Sequence, residues 1–257
     1  MKKIYFAILS LSIIFYSCKK SDQNTSTTTP TNTTTTQILL RKIVTTNVSP
    51  SGKDSIQYFY DNNNRVIRIM ANSSSYSDTQ NITRNSSGLI TSFNNRNTFG
   101  SSSSTISIDP TSSHYVSAIR ISNTGQRDTN NYIYSAVKII KILNNKYSAT
   151  RSITYDNNGN LIKDSSLTIV FKRTYDTNVQ SITFGNEILV LGYDEAGHSA
   201  AEENTGKNNV LSATVIQNGI PGYNFTYVYT YNTENRPATV IEKNGTVTKS
   251  TSIFYYQ

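Results

Sequence analysis

From Gln37 onward, apolar and polar residues alternate in short runs separated by turn-forming residues. Ile56-Gln57-Tyr58-Phe59-Tyr60, Ser152-Ile153-Thr154-Tyr155 and Phe225-Thr226-Tyr227-Val228-Tyr229-Thr230-Tyr231 all have period two with β-branched or aromatic enrichment, which predicts half-buried strands. Between such runs stand Asn144-Asn145, Gly185-Asn186, Asn218-Gly219 and Asn244-Gly245. These residues accept the positive φ of primed turns and predict antiparallel hairpins. Tyr132 to Leu143 also satisfies a helical period, but its Ile, Val and Tyr content favours strands. One short helix is predicted, Ser199 to Asn204, with Gly206 available to end it. The expected fold is all-β: an antiparallel β-meander of repeated hairpins, about 14–18 strands, forming a twisted, curved sheet or a partly closed barrel.

A second regularity is superimposed on the alternation. The pattern Asp/Asn-x-x-Gly/Asn follows a strand at Asp61/Asn64, Asn85/Gly88, Asp156/Gly159, Asp194/Gly197 and Asn232/Asn235, and Tyr60, Tyr155, Tyr193 and Tyr231 precede four of these. It predicts a type I turn with a bulge, in which the first side chain caps the turn and the last residue is left-handed. The spacings are near multiples of a unit of roughly 19–24 residues, about one hairpin, in the range of repeat architectures. Tyr-Asp-Asn-Asn-Gly-Asn-Leu (155–161), Tyr-Asp-Asn-Asn-Asn-Arg-Val (60–66) and Tyr-Asn-Thr-Glu-Asn-Arg-Pro (231–237) resemble the tyrosine–aspartate (YD) repeats of RHS-type proteins. The whole 37–257 segment is similar to repeat-bearing lipoprotein domains of Bacteroidota, through Gly206-Lys207-Asn208-Asn209-Val210-Leu211, Tyr229-Thr230-Tyr231 and Arg236-Pro237. Several units lack the Asp or the Gly, and the segment is too short for the toxin-enclosing shell of RHS proteins. The resemblance implies an antiparallel meander and an exported location, and it implies no activity.

The amino terminus reads as an address. Lys2 and Lys3 precede an apolar run from Ile4 to Tyr16, too short to span a bilayer of ~30 Å as a helix. The run ends in Phe15-Tyr16-Ser17-Cys18, which resembles a loose lipobox. That resemblance implies cleavage after residue 17, acylation of Cys18 and anchoring by membrane lipid; an ordinary secretory signal with an incidental Cys is the alternative. From Lys19 to Thr36 the chain is a Thr-rich stretch without apolar residues other than Pro30, which predicts a disordered tether spanning roughly 20–25 Å. The expected organisation is therefore signal peptide 1–17, anchored tether 18–36 and β domain 37–257. The expected location is membrane-anchored: outer membrane, cell surface or its periplasmic face. Ser21-Asp22 favours surface export and Lys19-Lys20 weakens that reading.

Composition narrows the chemistry. Asn, Ser and Thr make up 98 of 257 residues, while helix formers are scarce, which excludes a long-helix protein. The single Cys excludes a disulfide framework and cysteine-type zinc sites, and two His residues leave no histidine metal centre, so no metal or cofactor is expected. Loss of Lys2 and Lys3 leaves 22 basic against 16 acidic residues, dispersed in runs no longer than two. That is no electrostatic footprint for nucleic acid. Asp156-Asn157-Asn158-Gly159-Asn160 superficially resembles a calcium loop, but Gly is fourth rather than sixth and the twelfth residue is Leu167.

Three function classes remain. The densest acidic cluster, Asp194, Glu195, His198, Glu202 and Glu203, is the candidate site of a carbohydrate-active hydrolase, although adjacent Glu residues point in different directions. His114 and His198 read as packed or surface histidines. The alternating row Phe225, Tyr227, Tyr229 and Tyr231 is either a core face or an exposed platform for a glycan or a surface protein. The favoured function is a non-catalytic interaction or ligand-binding module, with a ligand-free structural envelope lipoprotein and the hydrolase as alternatives.

Overall fold

The computed structural model describes residues 38–48, 51–146, 148–179 and 206–257. They form sixteen strands: β1 (Leu40–Val48), β2 (Ser51–Tyr60), β3 (Val66–Asn72), β4 (Ser77–Arg84), β5 (Ile90–Asn97), β6 (Gly100–Ile108), β7 (Tyr115–Ser122), β8 (Arg127–Ser135), β9 (Lys138–Asn144), β10 (Ala149–Tyr155), β11 (Leu161–Ser165), β12 (Ile169–Val179), β13 (Asn208–Gln217), β14 (Ile220–Tyr231), β15 (Pro237–Asn244) and β16 (Val247–Tyr256). Each strand pairs antiparallel with the next, and β16 returns to pair with β1, where Ile43 faces Phe254 and Thr45 faces Ser252. The meander is thus a fully closed barrel, and closure leaves no sheet edge to protect.

A simple meander gives the barrel two unlike ends. At one lie the Asp/Asn turns 61–65, 85–89, 109–114, 156–160 and 232–236, together with the chain's entry at Leu40 and exit at Tyr256. Here the first few residues of the odd strands are buried: Leu40, Val66, Ile90, Tyr115, Ile139, Leu161, Val210 and Pro237. The next inward residues, Ile43, Ile69, Phe93, Ala118, Ile142, Asp164, Ala213 and Val240, come three positions later rather than two. Each odd strand has one extra residue next to its first buried residue (Arg41, Ile67, Thr91, Val116, Ile140, Ile162, Leu211 and Ala238). Such a bulge bends the strand and increases its twist. Even strands contribute buried Tyr58, Ile82, Ile106, Tyr132 and Ile153 to the same layer. This end is closed by packed side chains.

Tyrosines of the even strands finish that plug, Tyr60 and Tyr155 of the repeat among them. Tyr60 donates its hydroxyl hydrogen to the Leu40 carbonyl at 2.6 Å, Tyr155 to Ile139 at 2.9 Å, Tyr175 to Leu161 at 2.6 Å and Tyr256 to Pro237 at 2.7 Å. In each case the acceptor is the residue just before the bulge, where the regular ladder is interrupted and a carbonyl needs a donor. Burial raises the Tyr60 and Tyr155 phenols above the ordinary tyrosine value, and Tyr134 to about 12. The Tyr60 and Tyr155 hydroxyls of this belt are thereby held in their donating form.

The outward positions are of a different character. Asn81 and Thr83 on β4, Ser101, Ser103 and Thr105 on β6, Thr150 and Thr154 on β10, and Lys172 and Thr174 on β12 are all exposed. Hydroxyl pairs tie neighbouring strands across this surface, Thr174 to Ser212 at 2.7 Å and Thr230 to Thr239 at 2.7 Å. Exposed apolar residues such as Val228 and Ile253 are scattered among them. A lipid-facing barrel wall needs a continuous apolar band about 25 Å tall, and the described wall has a hydroxyl- and amide-rich surface instead.

Local expectations were met unevenly. Asn218-Gly219 forms a two-residue turn with φ of 51° and 78°. At Asn244-Gly245 the turn is shifted by one residue, because Asn244 still pairs with Val247 and Gly245-Thr246 make the turn. The predicted Asn144-Asn145 hairpin is longer, with Asn144 pairing Ala149 across 145–148. Tyr132–Leu143 is strand, as its composition favours, broken by a left-handed Ala136 at φ 51°. Gly185-Asn186 and the helix predicted at Ser199–Asn204 lie outside the described residues.

Candidate functional site: the polar mouth of the barrel

The inward alternation continues to the opposite end, but the residues that occupy it change. Above the apolar layers, the inward positions hold Asp54, Asp78, Gln80, Asn95, Ser102, Ser104, Arg120, Asp128, Asn144, Arg151, Arg173, Glu242 and Ser250, as their cross-strand partners fix. Several of these groups satisfy one another. Arg151 Nε lies 2.7 and 2.8 Å from the two oxygens of Asp164, and its Nη2 completes a forked pair. Asn144 Nδ2 reaches both oxygens of Asp128, at 2.9 and 3.0 Å, and Asn47 Nδ2 lies 2.6 Å from Asp54. The buried Arg173 guanidinium sits 5.6 Å from the centre of the Phe171 ring.

A cavity of about 410 Å³ opens at this end between the hairpins β5–β6 and β7–β8. Asn97, Ser102, Arg120, Ser122, Asn123, Gln126, Asp128 and Lys146 line it, with Phe99 at its rim. Phe99 is 83% exposed at the tip of its hairpin. Arg120 Nε is 3.4 Å from Ser102 Oγ. Two positions further in along the same strands, and on neighbouring β4, lie Asn95, Ser104, Asp78 and Gln80. Asp78 Oδ1, Gln80 Oε1, Asn95 Oδ1 and Ser104 Oγ are buried without a hydrogen-bond partner. Burial pushes the Asp78 carboxyl above the usual range, and the hydrogen bond from Asn95 opposes this in part. Among the described residues, no group of three or more His, Cys, Asp or Glu side chains is placed to hold a metal ion.

The residues singled out from sequence fall elsewhere. Asn64, Gly88, Gly159 and Asn235 have φ of 60°, 89°, 91° and 57°, all at the closed end. The Asp61 side chain accepts from the N–H groups of Asn63 and Arg65 at 2.9 Å, and Asp156 from Asn160 at 2.8 Å. Asn232 accepts from Glu234 at 3.1 Å and from Arg236 at 2.9 Å. These turns are structural parts of the plug and are remote from the cavity. Asp109, which the pattern omits because its turn is one residue longer, makes the equivalent turn through a left-handed Ser113.

The aromatic row requires a correction as a surface platform. Phe225 and Tyr227 are each 8% exposed while Val228 is 51% exposed, so the aromatic face of β14 points into the barrel and the Thr/Val face outward. Tyr229 packs against the same interior cluster, and Tyr231 hydrogen-bonds Asp176. Large apolar faces go inside here because a 16-strand wall needs bulky side chains to fill it. His114 stacks on Tyr134, with ring centres 4.3 Å apart. Cys18, Asp194, Gly197 and the acidic cluster through Glu203 lie outside the described residues.

A solved structure shares this fold. A porin-like protein from Bacteroides uniformis superposes with a TM-score of 0.57 at 12% identity, covering 85% of this chain and 96% of that one. A porin-like protein from Bacteroides vulgatus has a TM-score of 0.45 at 12% identity, over 86% of this chain and 99% of that one. No family model matches the chain, and no curated protein matches it.

Proposed function

We propose that this chain is an exported, lipid-anchored binding module of the YD-repeat-like lipoprotein type, and that its ligand enters the polar mouth of the barrel. One observation carries the reading. The interior is packed with apolar residues at the end where the chain enters, and changes at the other end to hydrogen-bonding side chains around a cavity. A barrel needing only stability would gain by continuing its apolar layers, since each buried polar group without a partner costs about 1–3 kcal/mol.

The module acts without catalysis. Among the mouth carboxylates, Asp54 and Asp128 already hold amide partners, which suits recognition better than proton transfer. Attachment is through acylated Cys18, and anchoring follows from the ~0.8 kcal/mol contributed by each buried CH₂ of the acyl chains. An anchor upstream of Leu40 holds the barrel through its closed end, on the outer membrane or the cell surface.

Two measurements test the reading. Metabolic labelling with a palmitate analogue should mark the wild-type chain and leave Cys18→Ala unmarked; label retained in the variant contradicts the anchor. For the mouth, binding to a glycan array should fall in Arg120→Ala at unchanged thermal stability. Loss of folding in that variant, or full binding by it, contradicts a ligand site there.

A further inference from the structure

Resting on the binding-module reading, we propose that the ligand is a neutral, hydroxyl-rich saccharide, and that its innermost sugar is held below the cavity by the unpaired carboxylate and amide oxygens of β4 and β5 and the Ser104 hydroxyl of β6. Gln80 and Ser104 are 2% and 3% exposed, yet Gln80 Oε1 and Ser104 Oγ have no partner. Gln80 faces Asn95 directly across the strand pair, and Asn95 in turn faces Ser102 of the cavity lining. Asp78 and Asn95, each with an unpaired Oδ1, are diagonal neighbours on the same face. Unpaired polar oxygens therefore gather on one patch of the inner wall, next in register to the cavity-lining Asn97 and Ser102.

The chemistry of that patch selects the ligand class. Carboxylate and amide oxygens accept hydrogen bonds, so the missing complement is a set of donors. Donors come from hydroxyls or from an ammonium group, and the charges decide between them. The cavity lining sets Arg120 and Lys146 against Asp128 alone, so it has no excess negative charge with which to hold a cation. Hydroxyl groups remain. A sugar supplies several at fixed spacing, and the exposed Phe99 ring at the rim offers a face on which the next sugar stacks. A site built to receive hydroxyls rejects analogues that lack them, because its own polar groups then stay buried and unpaired.

The test uses segment 37–257, whose strands close on themselves, in calorimetric titrations with cellotriose, maltotriose and mannotriose. Hexaethylene glycol, which has almost no donors, and spermidine, which is cationic, are the chemical controls. The inference expects at least one trisaccharide to bind and both controls to fail. Gln80→Leu should weaken trisaccharide binding at least tenfold while the melting temperature holds or rises, because it removes an unpaired buried acceptor at similar volume. Ser104→Ala, which deletes a single hydroxyl, repeats the comparison should Gln80→Leu fold poorly. Equal binding of hexaethylene glycol, or preference for spermidine, overturns the saccharide assignment and leaves a binding mouth intact. Trisaccharide binding lost in Arg120→Ala but unchanged in both inner variants overturns the inner subsite alone. Failure of every trisaccharide overturns the inference, and failure of the glycan array as well removes the binding-module reading beneath it.

Discussion

The two ends of the barrel are built by the same strands and solve different problems. At the closed end every odd strand spends a bulge and an early apolar residue on filling the interior, and β1, β9, β11 and β15 each take a tyrosine hydroxyl as well. At the mouth the same strands carry amides, hydroxyls and charges on the same inward face. Alternation decides which residues face inward, but the identity of those residues changes along each strand. The difference teaches that a single repeat unit treats the interior in two ways: its turn-proximal half fills it with apolar side chains and its turn-distal half lines it with polar ones.

The largest effect that could break this comparison is a cavity in the plug. Ile139 and Ile90 are fully buried, so Ile139→Ala should lose about 2–5 kcal/mol in chemical denaturation. Gln126→Ala at the mouth should stay within about 0.5 kcal/mol, as surface changes do. Equal losses at the two positions would mean that both ends are structural.

Next come the turns. Gly159 has φ of 91°, and a Cβ there would meet Lys138 Nζ at 3.1 Å, so Gly159→Val should destabilise by about 1–3 kcal/mol. Gly88 has φ of 89° and an added Cβ would lie 2.4 Å from the flexible Arg65 side chain, which gives the same direction. Unchanged melting temperatures in both variants would remove the left-handed turn from the account.

The smallest effects concern the belt. Tyr155→Phe removes the hydrogen bond from the Tyr155 hydroxyl to the Ile139 carbonyl and should cost about 1 kcal/mol. The belt also fixes a pH dependence. Burial raises the folded-state values of Tyr60, Tyr134 and Tyr155 above the ordinary tyrosine value of 10.0, so the neutral phenols contribute stability that is complete below pH 10. That stability is lost as pH rises through the folded-state values, about 12 for Tyr134. Unfolding and tyrosinate absorbance should rise together above pH 10, and Tyr60→Phe/Tyr155→Phe should shift the onset upward. Full tyrosine ionisation in a still-folded barrel would contradict the belt.

Much of the fold was legible because turns and alternation are local signals. Asp156 and Gly159 announce their turn with four residues, and the β-branched runs around them fix the class as an antiparallel meander. Closure was not legible, since pairing of Ile43 with Phe254 joins the two extremes of the chain and no local pattern encodes it. The bulges were hidden for another reason. They turn the inward spacing at Val66/Ile69 and Ile90/Phe93 from two into three, which a period-two reading treats as noise. The mouth was illegible because its residues carry no motif: Ser-rich β6 reads as a weak strand until Ser102 and Ser104 are seen to face inward. The aromatic row of β14 was visible, and only burial could decide its direction.

The central claim is that ligand binding belongs to the mouth and stability to the plug. Segment 37–257 contains no cysteine, so Ser122→Cys in the cavity lining and Asn158→Cys in a closed-end turn each give one site for a bulky maleimide adduct. Calorimetric titration of both adducts with the bound trisaccharide is the most direct measurement. The account predicts that the Ser122→Cys adduct abolishes binding without lowering the melting temperature, and that the Asn158→Cys adduct binds as wild type. Binding that survives the mouth adduct, or disappears with the closed-end adduct, would contradict it.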